Sequence, residues 1–159
     1  MSEQVERNKE TFKRFQAEVI VKGDTTHLAD YMAPGFITHR TGLDGWYEAL
    51  GEPARTEPIV IDDLVKFGHM LKGAFGSVEN HQRRMDLVSG EGDLVWAVWT
   101  ITGTINGSFH GVAADGKSID FTEVAWIRFN DDGKMIEGWF CSDVGPLLAQ
   151  LGASVSLPG

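Results

Sequence analysis

The chain has 159 residues, 42% hydrophobic and 23% charged, the make-up of one globular domain large enough to bury a proper core. A formal net charge of -9, with no run of Lys or Arg, repels phosphate backbones and anionic lipid and argues against nucleic acid or membrane partners. One cysteine, Cys141, excludes an internal disulfide and a cysteine metal cluster, and no histidine or cysteine pair has metal-ligand spacing. The first residues lack the apolar segment of a secretory signal, and no apolar stretch nears the ~18 residues of a membrane span. A cytoplasmic location is the expectation.

In chain order, residues 2–21 read as an amphipathic helix with Val5, Phe12, Phe15 and Val19 on one stripe, ended by Gly23. A second helix is expected over 25–32, stopped by Pro34, and residues 36–39 follow as a brief extended piece. Asp44 can cap a short helix that holds Trp46, and Asp62 or Asp63 can cap another with Leu64, Phe67, Leu71 and Phe75 on one face. Strands are expected over 78–88, 94–104, 118–129 and 135–142, with turn signals at 91–93 and 130–133. Residues 143–151 close the chain as a helix ended by Gly152. Helices first and strands afterwards indicate an α+β fold occupying residues 1–159 as a single domain.

The strand 119–129 carries apolar residues on both faces: Ile119, Phe121, Ala125, Ile127 and Phe129 at odd positions, Val124 and Trp126 at even ones. A sheet with one wet face alternates more cleanly. The second face is therefore expected to lie against either a partner subunit or an internal helix.

Ordered motifs over nearly the whole chain resemble the SnoaL-like polyketide cyclases, or predicted ester cyclases, of the nuclear transport factor 2-like superfamily. They are Tyr-Met-Ala-Pro-Gly-Phe-Ile-Thr-His (31–39), Thr-Gly-Thr-Ile-Asn-Gly-Ser-Phe-His-Gly (102–111), Gly-Lys-Ser-Ile-Asp-Phe-Thr-Glu (116–123) and Asp-Gly-Lys-Met-Ile-Glu-Gly-Trp (132–139). The resemblance implies a cone-shaped, curved antiparallel sheet wrapped by N-terminal helices around an apolar cavity. It also implies homodimers or higher homo-oligomers, a small hydrophobic organic substrate, and catalysis with no metal or organic cofactor. The acidic residue that serves the cyclases as acid/base falls on Ala125, and Glu123 shares that strand face. Ile105 stands where a histidine is frequent, with His110 five residues on.

Proton transfer beside a carbonyl needs a base for the C–H proton and a donor for the developing oxyanion. Glu123, between Phe121 and Ala125, is the first candidate base, with a pKa raised by desolvation if it faces the cavity. Its alternatives are a place on the outer face or an ion pair, for example with Arg83. Asp143 is a second candidate, or else the cap of the last helix. His39 could donate to a carbonyl or shuttle a proton, or be a structural histidine, and His110 could reach the cavity. His27, His69 and His81 read as surface residues. Phe36, Trp46, Trp99, Phe121 and Trp139 are expected to line the pocket, and Cys141 to be a small buried hydrophobe. The leading expectation is cyclisation or isomerisation of a carbonyl-bearing, polyketide-like compound. The alternatives are an epoxide hydrolase-like water addition, which needs two carboxylates and an arginine, and a non-catalytic ligand-binding module.

Overall fold

The computed structural model describes residues 3–42 and 58–154. The expected helix around Trp46 lies outside them. Helix α1 (Glu3–Arg14) starts with Glu3 and Glu6 and ends with Lys13 and Arg14, which suits its dipole, and it buries Val5, Asn8 and Phe12. It widens into π-helical turns over Phe15–Val21, closed by Lys22 N–H donating to the Ala17 carbonyl at 3.2 Å. These turns keep Phe15, Gln16, Val19 and Ile20 buried together.

The second helix is shorter than the sequence suggests: α2 is the single turn Leu28–Tyr31, and Met32 is already extended. Pro34 drives the residues before it out of helical conformation. Strand β1 (Met32–Thr41) follows, with a register shift between Met32 and Ile37 where Gly35 adopts φ 81°. Next come β2 (Ile59–Ile61) and α3 (Leu64–Phe75), capped by Asp63, which accepts from Lys66 N–H at 2.9 Å. The long strands are β3 (Val78–Glu91), β4 (Leu94–Ile105), β7 (Ser118–Phe129) and β8 (Met135–Ser142). Between β4 and β7 lies the small hairpin β5 (Ser108–Phe109) and β6 (Val112–Ala113), and α4 (Val144–Gln150) ends the described chain.

The six-stranded sheet runs β2-β1-β8-β7-β4-β3, antiparallel except for the parallel pair β1–β8. It curves around the N-terminal helices, which pack onto its inner face. In β7 the odd residues 119–129 are all buried, as the alternation predicts, and Glu123 is among them. On the outer face Trp126 remains 47% exposed, so no helix of the described residues covers that face there. Cross-strand pairing aligns His39, Trp139, Trp126 and Trp96 in one row across β1, β8, β7 and β4. No described helix is long and apolar enough to cross a membrane.

Candidate active site

Between the inner face of the sheet and the helices lies a cavity of about 390 Å³. Its walls are largely aromatic and aliphatic: Phe12, Phe15 and Ile20 from the N-terminal helix, Phe36 from β1, Phe67 and Leu71 from α3. Four polar groups are linked by direct contacts: Glu123 of β7, Arg40 of β1, Arg83 of β3 and Gln16 of the π turns. Thr38 of β1 and His110 also line the cavity. Such a pocket holds an apolar body and fixes its orientation through a few polar contacts.

Glu123 is 3% exposed. Its Oε1 accepts from Arg40 Nη1 and from Ser142 Oγ, both at 2.8 Å, and its Oε2 lies 3.6 Å from Arg83 Nη1. Ser142 stands directly across from Glu123 in the β7–β8 register, so its hydroxyl meets the carboxylate without any loop excursion. Arg83 is nearly fully buried; it donates to Gln16 Oε1 at 2.7 Å and lies over the rings of Phe75 and Trp99. Arg40 is 43% exposed at its side chain and lies 4.9 Å over the Phe140 ring.

The expected rise in the Glu123 pKa is corrected by these contacts. Burial does push the carboxyl up, but the Arg40 and Arg83 charges and the Ser142 and Arg40 hydrogen bonds outweigh it and hold it below the usual value. Both readings of the sequence thus apply at once: the carboxylate faces the cavity and is ion-paired with Arg83. Burial also lowers Arg83, to about 10, against the opposing pull of Glu123. His81, read as a surface residue, is half-buried against Phe75 and beside Arg83; burial and that neighbouring charge lower its pKa to about 4.

His110 lines the same cavity. It sits at the tip of the β5–β6 hairpin, where His110 (φ 44°) and Gly111 (φ 82°) both take the left-handed backbone of a two-residue turn. Phe36 lines the cavity as expected. Trp99 and Phe121 are buried in the core behind it rather than on its wall; Trp99 packs on Phe12 at 5.6 Å. Trp46 lies outside the described residues.

Three expected site residues are elsewhere. His39 and Trp139 stack on each other at 4.8 Å on the outer face, and His39 Nε2 lies 2.9 Å from Glu137 Oε1. They line a separate surface groove with Trp126 and Arg128. The reason is strand parity: a β1 that turns Phe36, Thr38 and Arg40 inward turns His39 outward. Asp143 is exposed at the start of α4, its side chain making no capping bond while its N–H donates to the Thr122 carbonyl. Cys141, expected to be buried, is exposed on the outer face. Among the described residues Glu123 is the one carboxylate lining the cavity, and those residues by themselves do not form the two-carboxylate arrangement expected of an epoxide hydrolase.

Arg40 and Gln16 were not anticipated. The signal for Arg40 was present: it lies four residues after Phe36, hence on the same strand face.

The profile of the SnoaL-like polyketide cyclase family matches residues 10–151. The chain belongs to that family. Solved structures agree on the fold. The candidate polyketide cyclase IdmH of Streptomyces antibioticus is 25% identical, with 92% of this chain and 99% of that one covered and a TM-score of 0.71. The candidate hydroxylase AclR of Streptomyces galilaeus is 20% identical, with 97% and 86% covered and a TM-score of 0.73. An LEH-like epoxide hydrolase of M. tuberculosis is 12% identical, with 92% and 90% covered and a TM-score of 0.65. No curated protein matches the chain at a significant level. Within this SnoaL-like fold Ala125 is fully buried, so the nearest carboxylate on that strand face is Glu123, one inward position away.

Proposed function

We propose that this SnoaL-like protein is an acid/base enzyme that cyclises or isomerises a small hydrophobic, carbonyl-bearing, polyketide-like compound without metal or organic cofactor. The observation that carries the reading is a buried, ionised Glu123 held beside two arginines at the polar end of an otherwise apolar cavity. A carboxylate ready to accept a proton and cations ready to hold an oxyanion are the two groups that enolisation requires.

The substrate's carbonyl oxygen takes a hydrogen bond from Arg40, whose half-exposed side chain can turn from Glu123 toward the ligand. Losing part of that interaction raises the basicity of Glu123. Glu123 removes a proton from the carbon next to the carbonyl, and the C–H electron pair moves into an enolate whose oxygen stays on the guanidinium. For ring closure the enolate carbon attacks a second carbonyl carbon, and the alkoxide so formed takes the proton back from Glu123. For isomerisation the same proton returns to a different carbon. His110, which lines the cavity, serves in this scheme as a second proton carrier. Phe36 holds the apolar body, with Trp99 and Phe121 supporting the wall from behind. His39, Trp139 and Asp143 take no part in this scheme.

The outer face, with Trp126 exposed in its aromatic row, is assigned to a homodimer or higher homo-oligomer. The test of the chemistry is hydrogen–deuterium exchange at the α-carbon of enolisable aryl ketones in D2O, followed by NMR. The protein is expected to accelerate exchange, and Glu123→Gln to lower the rate by about 10²-fold or more while the fold is kept. Binding of such ketones with no exchange in the wild type would indicate a ligand-binding module instead.

A further inference from the structure

The charge at the polar end of the cavity does not balance. Among the described residues lining it, Arg40 and Arg83 carry permanent positive charge and Glu123 is the one carboxylate. His110, on the same wall, can only add to the positive side. His81, behind Arg83, is held neutral near pH 7 by burial and by the arginine. Among the described lining residues a surplus of at least one positive charge therefore sits within a protein whose formal net charge is -9. Exposed basic residues need no such partner, but Arg83 is nearly fully buried. Arg83 shares its one counter-charge, Glu123, with Arg40, and a buried cation so incompletely compensated is costly, because the low-dielectric surroundings replace its hydration poorly.

The geometry leaves Arg83 able to take another acceptor. Glu123 Oε2 stands at 3.6 Å from its Nη1, beyond hydrogen-bond reach, and the hydrogen bond that Nη1 makes goes to the neutral Gln16. The better carboxylate bonds, both 2.8 Å, come instead from Arg40 and Ser142. Glu123 thus satisfies Arg40; with Nη1 of Arg83 on Gln16 and its Nε donating to His81 Nε2 at 3.4 Å, the Nη2 end of the fork is left to whatever enters the cavity. A planar guanidinium at the end of an apolar pocket matches a planar carboxylate through paired hydrogen bonds.

We infer that the ligand of this cavity is an apolar acid whose carboxylate is received by Arg83 and Arg40. The inference rests on the reading above and narrows it: the carbonyl compound carries a permanent negative charge before any proton is moved. Arg83 anchors the carboxylate with one nitrogen of the Arg40 fork, the aromatic walls take the apolar body, and the carbonyl end is left to the rest of Arg40 and to Glu123. The same positive surplus gives the cavity a selectivity that its apolar lining alone lacks. A neutral ester of equal shape would leave the guanidinium without its counter-charge.

The probes are 4-(2-naphthyl)-4-oxobutanoate, which carries both an enolisable ketone and a carboxylate, and its neutral methyl ester. Calorimetric titration is made at pH 7 and low salt on the wild type, Arg40→Gln and Glu123→Gln. The acid is expected to bind the wild type at least ~10-fold more tightly than the ester. Arg40→Gln should narrow that gap to about threefold or less. Glu123→Gln, which removes the competing carboxylate, should tighten the acid by a further factor of about 10 and widen its lead over the ester. If Arg40→Gln loses its cooperative melting transition, the acid–ester gap in the wild type and its widening in Glu123→Gln decide the matter. Equal affinities for acid and ester in the wild type, or weaker acid binding by Glu123→Gln, overturn the inference. Deuterium exchange on the same samples separates the two readings. Exchange of the ester's ketone with no preference for the acid overturns the charged-ligand inference and leaves the acid/base chemistry. Preference for the acid with no exchange of either compound does the reverse.

Discussion

Arg40 and Glu123 are 83 residues apart in the chain, yet Nη1 of one donates to Oε1 of the other at 2.8 Å. Arg40 is on β1 and Glu123 on β7, so the contact reaches over the intervening strand β8. That strand contributes the third member, Ser142, whose hydroxyl bonds the same oxygen. The carboxylate is thus held at one oxygen by residues of β1 and β8, and at the other by Arg83 of β3. Removing any one partner is therefore a graded perturbation of its charge.

Ser142→Ala deletes one neutral donor and leaves both arginines. Hydrogen bonds to a charged group contribute about 1.5–3 kcal/mol, so urea unfolding should show a loss in that range. The Glu123 carboxyl should rise toward its ordinary value because a contact favouring the charged form is gone. An unchanged unfolding midpoint would mean that water replaces the hydroxyl at no loss.

Acid should weaken the fold in two adjacent steps. His81 is neutral in the folded protein down to about pH 4, whereas the unfolded chain protonates it near 6.5. The unfolded state then binds more protons, so stability falls as pH drops from about 6.5 toward 4. Glu123 has a lowered pKa when folded, so its contribution is complete above the unfolded value of about 4.3 and is lost as pH falls through the folded one. His81→Gln is expected to flatten the unfolding midpoint between about pH 6.5 and 4 and to leave the steeper loss below. The same slope in both proteins across the upper window would show that His81 is not the group responsible.

Gly138→Ala should shrink the cavity from beneath. A Cβ there would stand 2.8 Å from a ring carbon of Phe140, 2.9 Å from one of Phe36 and 3.0 Å from Ile127 Cδ1. Phe36 and Phe140 both line the cavity, so relief of the clash moves rings into it. Overpacking of this kind is destabilising by about 1–3 kcal/mol. The expected signature is a lowered melting temperature together with weakened binding of the naphthyl ketone ester, whose neutral body reports on volume alone. A drop in stability with full affinity would place the relaxation elsewhere.

Trp126→Asp tests the assignment of the outer face. With a neighbouring tryptophan on either side of it, Trp126 is the centre of the aromatic row and is 47% exposed. A charge there should convert an oligomer to a monomer in sedimentation velocity without changing the Glu123 site on the opposite face. A wild type that is monomeric at high concentration would remove the assignment.

The sequence showed the inner face of β7 clearly, because Ile119, Phe121, Ala125, Ile127 and Phe129 alternate without a break and carry Glu123 with them. What it could not show was register. The parity of His39 follows from Phe36 once 32–41 is known to be one strand, but only the short run 36–39 was recognisably extended. Trp139 shares a face with Trp126 because β8 pairs with β7 in the register Trp126↔Trp139, a long-range fact with no local signal. The same register sets Ser142 against Glu123 and leaves Asp143 outside. The two arginines were hard to find for a related reason. Arg40 and Arg83 come from strands at separate places in the sheet, and only its curvature brings their guanidiniums to one carboxylate.

The proposed chemistry requires Glu123 to stand ionised in an apolar cavity near neutrality. The direct measurement is a pH titration of the Glu123 side-chain carboxyl by carbon NMR of glutamate-labelled protein, with the resonance assigned by its absence in Glu123→Gln. A carboxylate signal is expected to persist from pH 8 to below the ordinary glutamate range, and its titration to shift to higher pH when Arg40 is replaced by Gln. A Glu123 that takes up its proton above pH 6 in the wild type would contradict it.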